Sequence, residues 1–328
     1  MPLSPGSATL PNMSDFKLGV LLWSQATDWP SFERAARKVD ALGYEHLWTW
    51  DHLHAIFGDP QQPIFEGWLS LAAWAKSTSR VRLGLLVGAN TFRNPALVAK
   101  LTTTLDHISD GRAILGLGGA WFDYEHARHG IDFGSGFGQR LDWMDEAAAA
   151  VRQLLDGGEV TSAPGGRYAF DHLRQEPLPI QRHVPLMIGG SGERKTLRTI
   201  AKYADMWNGM GDAAEMRHKM EVLFQHCRDV NRDPNTIVKT TALKPVIRDS
   251  AAEAERVWRA QMAHNKTPLS EVEGDVTFVN GPSEKVAEYL IARREIGFTE
   301  AIAEMAAPYD EETIERFIGE VKPLVDQA

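Results

Sequence analysis

The chain is poor in cysteine, and its positive charges are fewer than its negative ones. It has one cysteine, Cys227, and a lone thiol excludes both an intrachain disulfide and a cysteine-based metal cluster. The spacing of Met216, Met220, Leu223 and Cys227 places that thiol on the apolar face of a helix, as a buried structural residue. No apolar run is long enough to span a bilayer. Residues 1–14 hold neither Lys nor Arg and have no apolar core, so they do not read as a signal peptide. Rich in Pro, Ser and Gly, they are expected to be a disordered tail ahead of one domain over residues 15–328, and the expected compartment is the cytoplasm. The formal charge is −9, with no basic run and no aromatic-basic interleave, which argues against a nucleic-acid partner. No internal repeat and no linker divides the chain.

With 328 residues, 43% hydrophobic and 24% charged, the composition is that of a soluble globular protein. Short apolar runs read as strands at 17–23, 46–50, 81–89, 113–117, 186–188, 206–208, 237–243 and 299–303. Helical patterns alternate with them. Phe32, Ala35, Ala36, Val39 and Leu42 form one such face, closed by Gly43, and Asn94-Pro95 reads as an N-cap followed by Pro at the first helical position. Several strands are continuously apolar, as expected when both faces are covered. Eight strands at this length favour a (β/α)8 barrel over an open sheet. The stretches 122–138, 157–184 and 266–282 exceed ordinary barrel loops and are expected as insertion segments near the C-terminal face. The first and third are lid candidates.

The most informative stretch is 185–208. A short strand, the turn Gly189-Gly190-Ser191-Gly192 and a helix start make an anion site, because small residues admit close approach and the helix dipole favours negative charge. Arg194, Arg198 and Lys202 share a face, with Lys195 beside them. A cation in the first helical turn opposes the dipole by ~0.3–1 kcal/mol. Arg194 and Lys195 are therefore best understood with a phosphate or carboxylate nearby, the alternative being a solvated basic face.

The other strand ends offer Trp23-Ser24-Gln25, Trp50-Asp51-His52, Gly88-Ala89-Asn90, Gly118 to Trp121, and Asn208-Gly209-Met210. Glycine-rich, aromatic and amide-bearing, the set suits a flat cofactor with an anionic tail. His52 has the chemistry of a general acid or base and a neighbouring carboxylate in Asp51. Adjacent residues on an extended segment point apart, however, and a histidine that only satisfies loop hydrogen bonds fits the sequence as well. That second reading is preferred for His54. His52-x-His54 could also begin a binuclear metal site, but strands five, six and eight end in Gly189-Gly190, Asn208-Gly209 and Glu304-Met305, an incomplete ligand set. Gly116-x-Gly118-Gly119 lacks the third glycine and the following helix and acid of a dinucleotide fingerprint.

Taken together, LWTWDH (47–52), LGLLVGANTFRNPALVAK (83–100), TLDHISDGRAILGLGGAWFDYE (104–125), IGGSGERKTLRTIAKYADMWN (188–208) and GPSEKVAEYL (281–290) resemble the luciferase-like monooxygenase family, most closely its deazaflavin (coenzyme F-420) branch. The resemblance implies an F-420-dependent oxidoreductase that exchanges a hydride with a small alcohol, ketone or activated alkene. It places His52 beside the reactive ring carbon and Asp51 at the ring edge. Leu86 and Val87 would be joined by a non-prolyl cis peptide behind the ring, with Asn90 near it. Trp121 and Glu125 would lie beside the ring and tail, and Gly189, Gly190, Ser191, Gly192 and Arg194 at the phosphate. Relatives that act on sugar phosphates carry carboxylates where this chain has Gln25 and Trp121, which implies a less polar substrate. The family also contains FMN-dependent monooxygenases, so reduced FMN with oxygen is the alternative. A non-catalytic flavin-binding protein is the alternative from another class. A homodimer is expected.

Overall fold

A computed structural model describes residues 15–328; the tail expected over 1–14 lies outside the described residues. The first strand, β1 (Lys17–Leu22), is buried from Leu18 onward. Helix α1 (Trp29–Leu42) follows. The Asp28 carboxylate caps it by accepting the Ser31 N–H at 2.8 Å, Pro30 occupies its first turn, and Gly43 ends it at φ 86°. Phe32, Ala35, Ala36 and Val39 are its buried stripe. After α2 (Gly67–Ser77), the same logic builds α3 (Pro95–Ser109), capped by Asn94 as anticipated.

The remaining strands are β2 (His46–Thr49), β3 (Arg82–Leu85), β4 (Gly88–Ala89), β5 (Leu115–Gly118), β6 (Leu186–Gly189), β7 (Met206–Gly209), β8 (Val238–Ile247), β9 (Phe278–Gly281) and β10 (Glu300–Met305). Every named pairing is parallel, in the order β3-β2-β1-β10-β8-β7-β6-β5-β4. The ring closes where Leu83 bridges Ala113. There the Leu83 N–H donates to Arg112 O at 2.9 Å and the Ile114 N–H to Leu83 O at 2.8 Å. β3 and β4 are thus two halves of the third barrel strand, interrupted at Leu86–Val87. With them counted as one, and with β9 an added strand on the far end of β8, the barrel has the eight positions the sequence implies. β9 itself was not anticipated: four residues behind Gly274 and Asp275 carry too little pattern to separate from a loop.

Alternation along each strand sorts side chains into two cores. Val20, Leu47, Leu83, Leu115, Ile188, Trp207 and Ala303 pack outward under the helices. Leu21, Trp48, Ile114, Met187, Met206 and Ile302 fill the barrel interior. Cys227 is buried with Met216, Met220 and Leu223 on the helix Ala213–Asp229, as its spacing implied.

The long segments are only partly loops. The stretch 122–138 contains α4 (Asp123–His129), which the sequence did not suggest. Its first turn carries Asp123 and Glu125, its last turn carries His126, Arg128 and His129, and both suit the helix dipole. The following helix α5 (Phe137–Leu155) starts a turn earlier than its apolar face. The stretch 157–184 closes on itself through a Val160–Leu173 bridge and runs beside α3, where Gln181 donates to Asp106 at 2.6 Å. Among the described residues no helix is long and apolar enough to cross a membrane.

Candidate active site

The C-terminal strand ends enclose a cleft of about 380 Å³. Its walls are the expected glycines and aromatics: Trp50, Leu86, Val87, Gly118, Gly119, Trp121, Gly189 and Gly190, with Asp51, His52 and Glu125 at one side. A larger cleft of about 490 Å³ lies at the start of α1 between Asp28, Arg34, His264 and Tyr309; none of the expected site residues line it.

The back wall is the interruption of the third strand. The Leu86–Val87 peptide is cis, as the resemblance implied. Val87 lies between two glycines: a Cβ on Gly118 would sit 2.5 Å from Val87 Cγ2, and one on Gly189 would sit 3.1 Å from both Val87 methyls. Gly116 is required for a different reason, since a Cβ there would run into the Leu85 carbonyl oxygen. Gly116 and Gly118 thus serve close packing around this wall, whereas a Cβ on Gly119 would sit 2.8 Å from Leu141 Cδ2.

His52 and Asp51, neighbours in sequence, serve different partners. The His52 Nδ1 lies 2.9 Å from Glu125 Oε1, and Glu125 Oε2 accepts the Leu53 N–H at 2.8 Å. α4 therefore delivers a fully buried carboxylate to the imidazole. Such a pairing has Nδ1 carry the proton, and Nε2 has no hydrogen-bond partner among the described residues. The His52 ring packs edge-on to Trp121 at 5.7 Å and to Trp50 at 6.3 Å. Trp121 itself is 60% exposed at the rim. Asp51 turns the other way. It accepts the Ala89 N–H at 2.9 Å and two contacts from Arg93 Nη1 at 2.7 and 3.0 Å; Arg93 continues to Glu66 at 2.8 Å. Burial pushes the Asp51 carboxyl above its usual range, and Arg93 and the Ala89 N–H only partly offset it.

The turn after β6 begins with Gly190 at φ 118°, a conformation that L side chains rarely adopt. The Gly190 N–H is tied to Asn208 O at 3.1 Å. From Ser191 to Lys195 no backbone N–H has a protein partner among the described residues, and α6 (Thr196–Tyr203) starts immediately after. The basic stripe divides. Lys195 Nζ donates to Gly138 O at 2.9 Å and pairs with Asp142 at 2.7 Å, and Lys202 pairs with Asp145 at 2.9 Å. Both lysines are thus accounted for by α5. Arg194 and Arg198 are exposed without an ion-pair partner among the described residues.

Asn90 is buried, but its amide donates to Tyr168 Oη at 3.2 Å and it lines a separate cleft of about 340 Å³ with Arg93, Trp143 and Arg167. His54 satisfies a loop: its Nδ1 lies 3.0 Å from Pro60 O. Gln25 is spent on structure. It accepts the Ile56 and Phe57 N–H groups at 3.0 and 3.2 Å and donates to Phe57 O and Asn265 Oδ1, both at 3.1 Å. Among the described residues no group of three His, Cys, Asp or Glu could hold a metal. Phe137, Met210, Lys244 and Glu304 also line the cleft. Met210 and Glu304 carried a signal, as residues at the ends of strands six and eight; Phe137 and Lys244 carried none.

A family model described as luciferase-like monooxygenase matches residues 16–319. The F420-dependent hydroxymycolic acid dehydrogenase of Mycobacterium tuberculosis is 27% identical over 258 residues, covering 77% of this chain and 70% of that protein. Two solved structures share the fold. An F420-dependent secondary alcohol dehydrogenase, in complex with an F420-acetone adduct, superposes with a TM-score of 0.79 at 19% identity, covering 95% of this chain and 99% of the other. The oxygenating constituent of 3,6-diketocamphane monooxygenase from Pseudomonas putida, in complex with FMN, gives 0.72 at 16% identity, covering 94% and 99%.

Proposed function

The chain belongs to the luciferase-like monooxygenase family, and from that premise we propose that it is an F-420-dependent oxidoreductase acting on a small alcohol, ketone or activated alkene. One observation carries the reading. An imidazole held by a buried carboxylate, its Nε2 without a partner among the described residues, lines a glycine-walled slot that is backed by the Leu86–Val87 bulge. Gly118, Gly119, Gly189 and Gly190 leave room for a flat ring against that wall, and Trp50 adds an aromatic edge. The unpaired N–H groups from Ser191 to Lys195, with the Arg194 guanidinium, suit a phosphate on the ring's tail. Bound there, a deazaflavin supplies or accepts the hydride; the protein's contribution is orientation and electrostatics.

His52 Nε2 gives or takes the proton at the substrate oxygen. Glu125 keeps the ring's orientation and stabilises the imidazolium that forms when it takes one. Asp51, itself held by Arg93, fixes Ala89 at the end of β4, which keeps the wall behind the ring in place. Trp121, Phe137 and Met210, all large and about half exposed, line the entrance. They give a substrate with hydrocarbon surface something to bury against.

The second reading, an FMN-dependent monooxygenase, has the likeness to the diketocamphane enzyme behind it. Titration with F-420 and with FMN, followed by fluorescence quenching, separates the two. The expected result is saturable F-420 binding; tight FMN binding without F-420 binding overturns the proposal. A non-catalytic carrier would bind cofactor yet tolerate loss of His52. The proposal includes a homodimer, tested by light scattering on the eluting protein.

A further inference from the structure

Around the barrel the Leu86–Val87 wall occupies the third strand position. The positions facing it across the mouth are the seventh and eighth, β8 and β10. Each contributes one ionisable side chain to the cleft: Lys244 near the end of β8 and Glu304 near the end of β10. They are not equivalent. Lys244 is buried and donates to Thr277 Oγ1 at 2.8 Å and to Asp275 Oδ2 at 3.2 Å. Glu304 forms no hydrogen bond and no ion pair among the described residues. The Trp23 indole N–H is buried beside it and is the donor within reach, but it completes no well-formed hydrogen bond to it. Glu304 is open to the cleft but shielded from bulk solvent, and burial pushes its carboxyl up against the pull of Lys244. One poorly aligned indole N–H cannot satisfy both oxygens of a carboxyl that faces a cavity, so a ligand has acceptor capacity there to use.

We propose that Glu304 is a specificity-determining residue on the substrate side of the mouth, where it selects neutral substrates that carry a second hydroxyl beyond the one oxidised and rejects anionic ones. The inference rests on the reading of the cleft as a deazaflavin site. A ring laid against the wall on β3 and β4 turns its free face toward β8 and β10. His52, after β2, engages the reacting oxygen, and Glu304 on β10, separated from β2 by β1 alone, is left for another group. Lys244 has its charge balanced by Asp275, while Glu304, when ionised, repels an anionic substrate. The half-exposed Trp121, Phe137 and Met210 at the entrance fit the hydrocarbon between the two hydroxyls.

The test uses the full chain, first shown to bind F-420, and calorimetric titration of the loaded protein with three six-carbon probes: 2-hexanol, 2,5-hexanediol and 5-hydroxyhexanoate. Wild type is expected to bind the diol about tenfold more tightly than the monohydric alcohol, the discrimination one hydrogen bond to a buried carboxylate provides, and to bind the hydroxy acid least. Glu304→Leu should equalise diol and alcohol and improve the hydroxy acid, with F-420 affinity unchanged. Glu304→Gln, which keeps an acceptor, should retain part of the preference for the diol. The proposal is overturned if wild type does not prefer the diol, if it binds none of the probes, if the preference survives in Glu304→Leu, or if Glu304→Leu instead loses F-420. Failure of F-420 to bind wild type would overturn the cofactor reading itself and is seen before any probe is added.

Discussion

Val87 between Gly118 and Gly189 allows a quantitative test of how the wall of the cleft is built. Neither Gly116 nor Gly118 has a positive φ, so each is glycine for lack of space rather than for backbone conformation. Gly118→Ala places a methyl 2.5 Å from Val87 Cγ2, where carbon atoms rest at about 3.5–4.0 Å, so one of the two must move by roughly 1 Å. Overpacking of this kind costs about 1–3 kcal/mol. For 328 residues the unfolding entropy is about 0.7 kcal/mol/K at the melting temperature, so the shift is about 1.5–4.5 °C. The obstacle is a side chain, so Val87→Ala should relieve it: the double variant Gly118→Ala/Val87→Ala should melt higher than the sum of the single shifts allows, with a coupling of about 1 kcal/mol or more. Gly116→Ala meets the Leu85 carbonyl oxygen instead, and no side-chain truncation can relieve it. It should be the most damaging of the three and should gain nothing from Val87→Ala. Scanning calorimetry of wild type and the five variants is the assay. Additive shifts for Gly118→Ala and Val87→Ala would refute the packing account, as would rescue of Gly116→Ala.

The remaining predictions concern the charged groups. His52→Ala should lower turnover by about 10²–10⁴-fold while F-420 affinity stays within twofold; adding Glu125→Ala should then remove little more, and multiplicative losses would show that Glu125 does not act through His52. Arg93→Met strands the buried Asp51 carboxylate and should cost about 3–5 kcal/mol at neutral pH. Asp51 has a folded pKa above its unfolded one, so protonation favours the folded chain, and melting of this variant should recover as pH falls from 7 to 5; a pH-independent deficit would contradict this. Asp40 behaves oppositely: burial alone would raise its carboxyl, but hydrogen bonds from Val81, Arg80 and Ser79 outweigh it and hold it low. Its contribution is complete above the unfolded value of about 3.9 and is lost as pH drops through the folded one. Acid melting of Asp40→Asn should therefore be flatter below about pH 4 than that of wild type.

Much of this protein could be read from its residues in order. Apolar runs bounded by Gly43, Asn94-Pro95 and the glycines after β6 mark strands and helices by local rules alone, and counting them to eight leaves few alternatives to a barrel. The barrel in turn says which ends of the strands carry the chemistry, so His52, Gly118 and Gly189 could be placed on one mouth without coordinates. Pairings between distant segments could not be placed. Nothing in the pattern says that α4 forms within 122–138 and swings Glu125 onto His52, or that Asp51 turns from its neighbour toward Arg93. Nor does it say that Asp142 and Asp145 take up Lys195 and Lys202, leaving Arg194 free beside the turn. Asn90 shows the same limit, since its place at a strand end was legible but its side chain is directed to Tyr168. A one-dimensional pattern records which face a residue occupies, because that depends on its neighbours in sequence. Which carboxylate meets which cation depends on how segments tens of residues apart come together, and burial then decides the charge each can hold.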